Sequence, residues 1–239
     1  MSDGTRIEAS MVPLTLTNTM RISVPMEVVN AVNNHIDKIE KSKDKISYSH
    51  KLAGEIRTGE QIELDPHHKQ LSDLKEIFLL FGAKYYEIYC NTNVAKMRDL
   101  AAQKAHVQIY DMWYNTYYEG DYNPMHSHGT QSRMGLSSFM YLKMPDQIVK
   151  NSKQIQTNKV KYDGAKGIND GRTYFLFGPS SGHDHYDFTC QRSFFVEPRV
   201  GDLWIFPKWL EHGVYPFRGD GTRRTLAANM NVWFEAEKT

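Results

Sequence analysis

The sequence has little with which to cross-link or anchor itself. Only two of its 239 residues are cysteine, Cys90 and Cys190, and they stand 100 positions apart with no C-x-x-C spacing. That excludes a disulfide framework and a zinc ribbon and fits a reducing cytoplasm. Charge of one sign is equally scarce. The 29 basic and 28 acidic residues leave a net charge of +1, with no run of either sign that could track a phosphate backbone or an anionic membrane. Nucleic acid is therefore not an expected partner. No stretch approaches the ~18 consecutive apolar residues of a membrane span. The opening Met1-Ser2-Asp3-Gly4-Thr5-Arg6 does not lead from a basic region into an apolar one, so neither membrane association nor export is expected. Internal repeats and low-complexity tracts are also missing. A single domain over 1–239 is the simplest organisation for this length.

Aromatic residues, by contrast, are abundant: 14 Tyr, 11 Phe and 4 Trp, mostly in the second half, where glycine and proline punctuate short runs. That is the texture of a β core. Residues 1–105 read as support for it. The β-favouring pieces Leu14-Thr15-Leu16-Thr17 and Met20-Arg21-Ile22-Ser23-Val24 end at Pro25. Val28, Val29, Val32, Ile36 and Ile39 then fall on one face of a helix over 26–42. A polar loop is expected at 43–66, with Pro66 in the first turn of a second helix. Leu71, Leu74, Phe78, Phe81, Tyr85 and Ile88 give that helix, over 67–91, a wide apolar face despite Gly82. From His106 the period changes to two. Strands are predicted at 106–117, 136–143, 173–177, 193–198, 202–207 and 224–234, with a loop at 145–171. The fold class is mainly β, a double-stranded β-helix (jelly roll) over 106–234 buttressed by N-terminal helices.

Ten histidines need sorting, because imidazole is a common metal ligand while most histidines ligate nothing. His126 and His128 stand two apart after the Asn123-Pro124 turn, and strand periodicity sends both rings to one side. His212 follows Gly201-Asp202-Leu203-Trp204-Ile205-Phe206-Pro207, a strand that ends in a turn. In a jelly roll, two ligands on an early strand and one on a late strand converge at the barrel mouth. The plainer reading of His126-x-His128 by itself is a polar turn with solvated rings. Beyond His212, alternation places Arg223, Thr225, Ala227 and Asn229 on one face. The guanidinium of Arg223 matches a carboxylate, Thr225 adds a hydroxyl and Ala227 leaves room, as a dicarboxylate co-substrate requires. Arg224, on the opposite face, reads as an ordinary surface charge.

These residues resemble a known family. The run Gly120-Asp121-Tyr122-Asn123-Pro124-Met125-His126-Ser127-His128, then Gly135-Leu136-Ser137-Ser138-Phe139-Met140-Tyr141, Gly201-Asp202-Leu203-Trp204, His212 and Arg223-x-Thr225 is similar to the iron(II)/2-oxoglutarate-dependent oxygenases. Within them it resembles the prolyl-4-hydroxylase-like branch of marine bacteria and phages. The resemblance covers about residues 106–234. It implies an Fe(II) centre on His126, His128 and His212, and 2-oxoglutarate held at its distal carboxylate by Arg223 and Thr225 on a strand-lined pocket with Tyr141. It further implies O2 as co-substrate, ascorbate as an aid to turnover, and hydroxylation of a C–H bond in a prolyl or other peptidyl residue, or in a small molecule.

One position departs from the family pattern: His128 stands where a carboxylate is usual. Three imidazoles and a chelating keto acid leave Fe(II) near +1, a deficit that an outer-shell carboxylate such as Asp121 would make up. A rival motif, His185-x-Asp187 beside His183-Asp184, lies too close to His212 in sequence for the intervening strands and reads as a loop near the mouth. His35, His50, His67, His68 and His106 are assigned no role. Trp113, Tyr117, Trp204 and Trp209 are candidates to wall the pocket, with core packing the plainer reading for each. Two other classes stay open at this point: a three-histidine dioxygenase or cupin-like enzyme without 2-oxoglutarate, and a non-catalytic jelly-roll binding module.

Overall fold

A computed structural model of the chain describes residues 8–14, 17–93, 104–132, 134–156, 167–177 and 193–235. A hairpin of β1 (Glu8–Leu14) and β2 (Thr17–Ser23) leads into α1 (Met26–Glu40). There follow β3 (Glu60–Glu63), α2 (Ser72–Asn93), β4 (Ala105–Tyr117), β5 (Asn123–His126) and β6 (Met134–Lys143). The chain continues through α3 (Asp146–Gln156), β7 (Thr173–Leu176), β8 (Ser193–Phe195), β9 (Asp202–Pro207), β10 (Glu211–Val214) and β11 (Arg223–Phe234). Thr15 and Leu16 of the first expected β piece, and the whole motif from His183 to Asp187, lie outside the described residues.

The strands form two sheets, one of seven in the order β1-β2-β9-β6-β11-β4-β3 and one of four in the order β5-β10-β7-β8. This is the expected jelly roll, with both helices of the first hundred residues packed on the outer face of the larger sheet. Val29, Val32 and Ile36 of α1 and Leu74 and Phe78 of α2 bury there with Met112, Tyr114, Leu226, Ala228 and Met230 of β4 and β11. A fully buried side chain of this size contributes about 1.5–3 kcal/mol, so the face is the main stabilising layer. Gly82 fits it closely. A Cβ at that position would stand 3.0 Å from Val107 Cγ1 and 3.3 Å from Met230 Sδ, so the helix surrenders propensity there to approach the sheet. A second, aromatic core of Phe139, Tyr141, Phe175, Trp204 and Phe206 lies between the sheets.

Several expectations need correction. Residues 43–66 are not all loop, because Glu60-Gln61-Ile62-Glu63 pairs with β4 from Thr116 to Trp113. Four residues with two acids carry no period strong enough to announce an edge strand. The 145–171 loop likewise contains α3, which buries Ile148. The second helix begins at Ser72 after a 3-10 turn over Lys69–Leu71, so Pro66 precedes it instead of opening it. Arg224 is not a surface charge. It is 2% exposed and reaches from β11 across to α1, donating to Asp37 Oδ1 and Glu40 Oε2 at 2.6 Å each and to Asn33 Oδ1 at 3.1 Å. Polar side chains on α1 are the reason. Asn33 and Asp37 meet a guanidinium that sheet pairing alone could place opposite them.

Candidate active site

The two sheets enclose a cavity of about 490 Å³, and the alternation of β11 sets one wall: Arg223, Thr225, Ala227 and Asn229 all line it. Their partners in register on β4 are Tyr117, Asn115, Trp113 and Asp111, which line it as well. The smaller sheet supplies the facing wall. His126, the last residue of β5, stands opposite His212 of β10 in antiparallel register, and His212 is paired on its other side with Phe175 of β7. His128 lies just past the strand end, where its backbone N–H donates to Lys208 O at 2.9 Å. The ligand nitrogens of the three rings lie within 4.8 Å of one another, the one cluster of this kind among the described residues.

The rings are prepared as neutral donors of lone pairs. His126 Nδ1 lies 2.7 Å from Pro124 O and His212 Nδ1 lies 2.9 Å from Leu210 O. Only an N–H satisfies those carbonyls, so in each ring the lone pair is left on Nε2. The Nε2 atoms of His128 and His212 approach to 3.2 Å. Burial pushes all three imidazoles below the usual histidine range, His128 to about 3 with His126 and Lys51 adding repulsion, and His212 well below it. Neutral, convergent rings, two of them with Nδ1 pinned to a carbonyl, are the donor set a divalent first-row metal takes. The ring of Trp113 lies 5.6 Å from that of His128 and closes one side.

Arg223 is 1% exposed, and no carboxylate pairs with it among the described residues. Its Nε donates to Gly171 O at 2.9 Å and one Nη to Thr173 Oγ1 at 3.0 Å. The faces of Tyr117 and Tyr141 each stand 5.6 Å from its Cζ. Burial lowers its pKa, yet a guanidinium stays charged throughout the ordinary range. A buried, unpaired cation that opens on a cavity fits an anionic ligand. Tyr141 is fully buried behind it, in register with Thr225, and donates to Thr173 Oγ1 at 2.9 Å. Thr173 is the residue that sequence reasoning missed. It joins Arg223 to Tyr141, but at the start of a short strand nothing distinguished it.

Asp121 does not serve the metal cluster. Its carboxylate is consumed by the backbone N–H groups of Arg57 (2.7 Å), Gly59 (3.1 Å) and Tyr118 (3.0 Å), which clip the β3 approach to the end of β4. Gly59 has no room for a side chain there, since a Cβ would meet Thr116 O at 1.8 Å. The acid on the cavity wall is Asp111. Of the four aromatics, Trp113 and Tyr117 line the cavity, Trp204 belongs to the aromatic core, and Trp209 is 54% exposed. His35 stacks on His68 at 4.0 Å, away from the site.

The model of the 2OG-Fe(II) oxygenase family matches residues 111–229, about half of the chain, a range that includes His126, His128, His212 and Arg223. No curated protein matches. Among solved structures, the non-heme alpha-ketoglutarate-dependent carbocyclase SnoK from nogalamycin biosynthesis is 12% identical, with a TM-score of 0.52 over 90% of this chain and 79% of its own. HygX from Streptomyces hygroscopicus, solved with nickel and 2-oxoglutarate bound, is 11% identical, with a TM-score of 0.50 over 90% and 83%. A prolyl hydroxylase from Trichoplax adhaerens, in complex with a hypoxia-inducible-factor peptide fragment, is 11% identical, with a TM-score of 0.50 over 89% and 80%. At these identities the structures establish a shared fold. It is the family match over 111–229 that places the chain in the 2OG-Fe(II) oxygenase family, as an oxygenase that works with Fe(II) and 2-oxoglutarate.

Proposed function

We propose that His126, His128 and His212 hold Fe(II), and that Arg223, with Thr225, grips the distal carboxylate of 2-oxoglutarate while Thr173 and Tyr141 position the guanidinium. On this reading the protein is a single-domain hydroxylase acting on a C–H bond of a peptidyl or small-molecule substrate. The observation that carries it is the pairing, in one cavity, of three neutral imidazoles, His212 buried and His126 and His128 half-buried, with one buried cation that has no carboxylate partner among the described residues. A passive metal-binding module has no use for that cation, and neither has a three-histidine enzyme without 2-oxoglutarate. The pairing of β2 with β9 and of β3 with β4 ties the N-terminal part into the same sheet, which supports one domain. The reducing cytoplasm, where iron stays ferrous, is the proposed location.

When bound, Fe(II) with 2-oxoglutarate supplies the oxidising chemistry: the keto acid is split to succinate and CO2 with one oxygen atom of O2, and the other enters the substrate C–H bond. The chain's own residues bind, orient and exclude. Pro124 O and Leu210 O fix two rings so that their Nε2 atoms face the cavity. Arg223, held at Nε and one Nη, keeps its remaining N–H groups for a carboxylate in a fixed orientation. Trp113, Tyr117 and Phe139 limit water on the lining. The test is conversion of 2-oxoglutarate to succinate by purified protein with Fe(II) and ascorbate. His212→Ala and Arg223→Ala abolish it, and an unchanged rate in either refutes the assignment.

A further inference from the structure

The co-substrate accounts for one end of the cavity only. Along β11, Arg223 and Thr225 belong to it, and Ala227, paired with Trp113 beside His128, marks the level of the metal cluster. The next pair, Asn229 opposite Asp111, lies two residues further from Arg223, about 7 Å by strand rise. There the ladder slips: Asn229 pairs with Asp111 but Met230 pairs with Ile109, so Tyr110 is an extra residue. The slip is what lets Tyr110 and Asp111, neighbours in sequence, both line the cavity, which regular alternation forbids.

One oxygen of each residue in this pair lacks a donor among the described residues. Asp111 Oδ2 accepts from Tyr48 OH at 2.6 Å and from Lys51 Nζ at 3.4 Å. Its Oδ1 is buried without a partner among the described residues, and so is Oδ1 of Asn229. Directly opposed residues hold their Cβ atoms about 4.5–5.5 Å apart, close enough for one donor group to serve both. Buried acceptors without donors are costly, and a small side-chain rotation toward the cavity lets a ligand relieve both at once. The charge of the ligand is also constrained. Lys51 already balances Asp111, with its ammonium 4.6 Å from the ring centre of Tyr48 and 5.9 Å from that of Tyr110, so a second cation would meet repulsion.

We propose that Asp111 and Asn229 form a substrate-recognition subsite that takes an uncharged amide N–H, as a peptide backbone or a carboxamide offers, against the walls of Tyr48 and Trp113. The proposal rests on the oxygenase reading of the cavity and names the substrate chemistry that reading leaves open.

The test uses the full chain loaded with Zn(II) and 2-oxoglutarate, titrated by NMR with N-acetylglycinamide as a neutral N–H donor and with ethylammonium as a cation. The amide is expected to bind saturably and ethylammonium at least several-fold more weakly. Asp111→Leu weakens the amide by about tenfold or more, the loss expected for one hydrogen bond to a charged group. Lys51→Met shifts the preference toward ethylammonium, a reversal that a merely structural Asp111 would not produce. Should the leucine variant fail to fold, Asp111→Ala, which also removes both oxygens, is read the same way. The proposal is overturned by tighter binding of ethylammonium to the wild type, by no saturable binding of the amide, or by unchanged amide affinity in the Asp111 variants. Wild-type consumption of 2-oxoglutarate, with Fe(II), is measured separately. If it is absent the oxygenase reading fails; if it is present while the amide is ignored, only the subsite fails.

Discussion

Replacing Arg223 by lysine keeps the charge and removes the fork. In the wild type Nε and one Nη are committed to Gly171 O and Thr173 Oγ1, so orientation is fixed before any ligand arrives. An ammonium on a shorter stem can meet those two acceptors or a carboxylate in a paired geometry, not all of them. The expected loss is one charge-assisted hydrogen bond, about 1.5–3 kcal/mol, or roughly 10- to 150-fold in 2-oxoglutarate affinity. Thermal unfolding of Mn(II)-loaded protein reads this directly. At a 2-oxoglutarate concentration 100 times the wild-type Kd, binding stabilises by about 2.7 kcal/mol. For a chain of this size that is a rise in Tm of about 5–11 °C. A variant weakened 100-fold gains only about 0.4 kcal/mol at the same concentration, a shift under about 2 °C. Arg224→Lys, on the opposite face, is the control and keeps the full shift. An equal shift in Arg223→Lys and wild type would refute the role given to the guanidinium.

Further outcomes follow from the same geometry. Arg224→Ala removes three hydrogen bonds to α1, but Asp37 and Glu40 are partly exposed and rehydrate, so chemical denaturation should show a loss of about 1–3 kcal/mol with 2-oxoglutarate affinity unchanged. His128→Asp restores the carboxylate usual at that place in the family and should retain Co(II) binding by absorption titration, while His126→Ala loses it. The metal-free protein should lose stability in acid. Burial depresses the three site imidazoles below the value of about 6.5 that they take in the unfolded chain, so below that pH the unfolded state binds more protons. Stability is therefore full above about pH 6.5 and falls as pH drops toward the folded value of about 3 for His128. A Tm at pH 5 equal to or above that at pH 7.5 would contradict the buried neutral state.

Legibility followed the strength of the period. The jelly roll, α1, α2 and the long strands repeat over enough residues to be read, and the alternation of β11 placed Arg223, Thr225, Ala227 and Asn229 together correctly. His126, His128 and His212 were found through spacing and strand phase, and they do converge. What escaped was decided by tertiary partners. Glu60-Gln61-Ile62-Glu63 becomes a strand because β4 offers an edge. Arg224 is buried because Asn33, Asp37 and Glu40 stand on the helix above it. Asp121 resembled an outer-shell acid until its oxygens were seen to be taken by backbone N–H groups, while Asp111, with no motif around it, faces the cavity through a bulge. Bulges and long-range clips leave no local trace in a sequence.

The most direct test of the central claim is anaerobic and optical. Fe(II) chelated by the keto-acid end of 2-oxoglutarate absorbs visible light, and the band forms only when metal and co-substrate share one site. The wild-type protein with both is expected to develop the band, His212→Ala to lack it, and Arg223→Lys to develop it only at higher 2-oxoglutarate concentration. No band in the wild type, or an undiminished one in His212→Ala, would contradict the account.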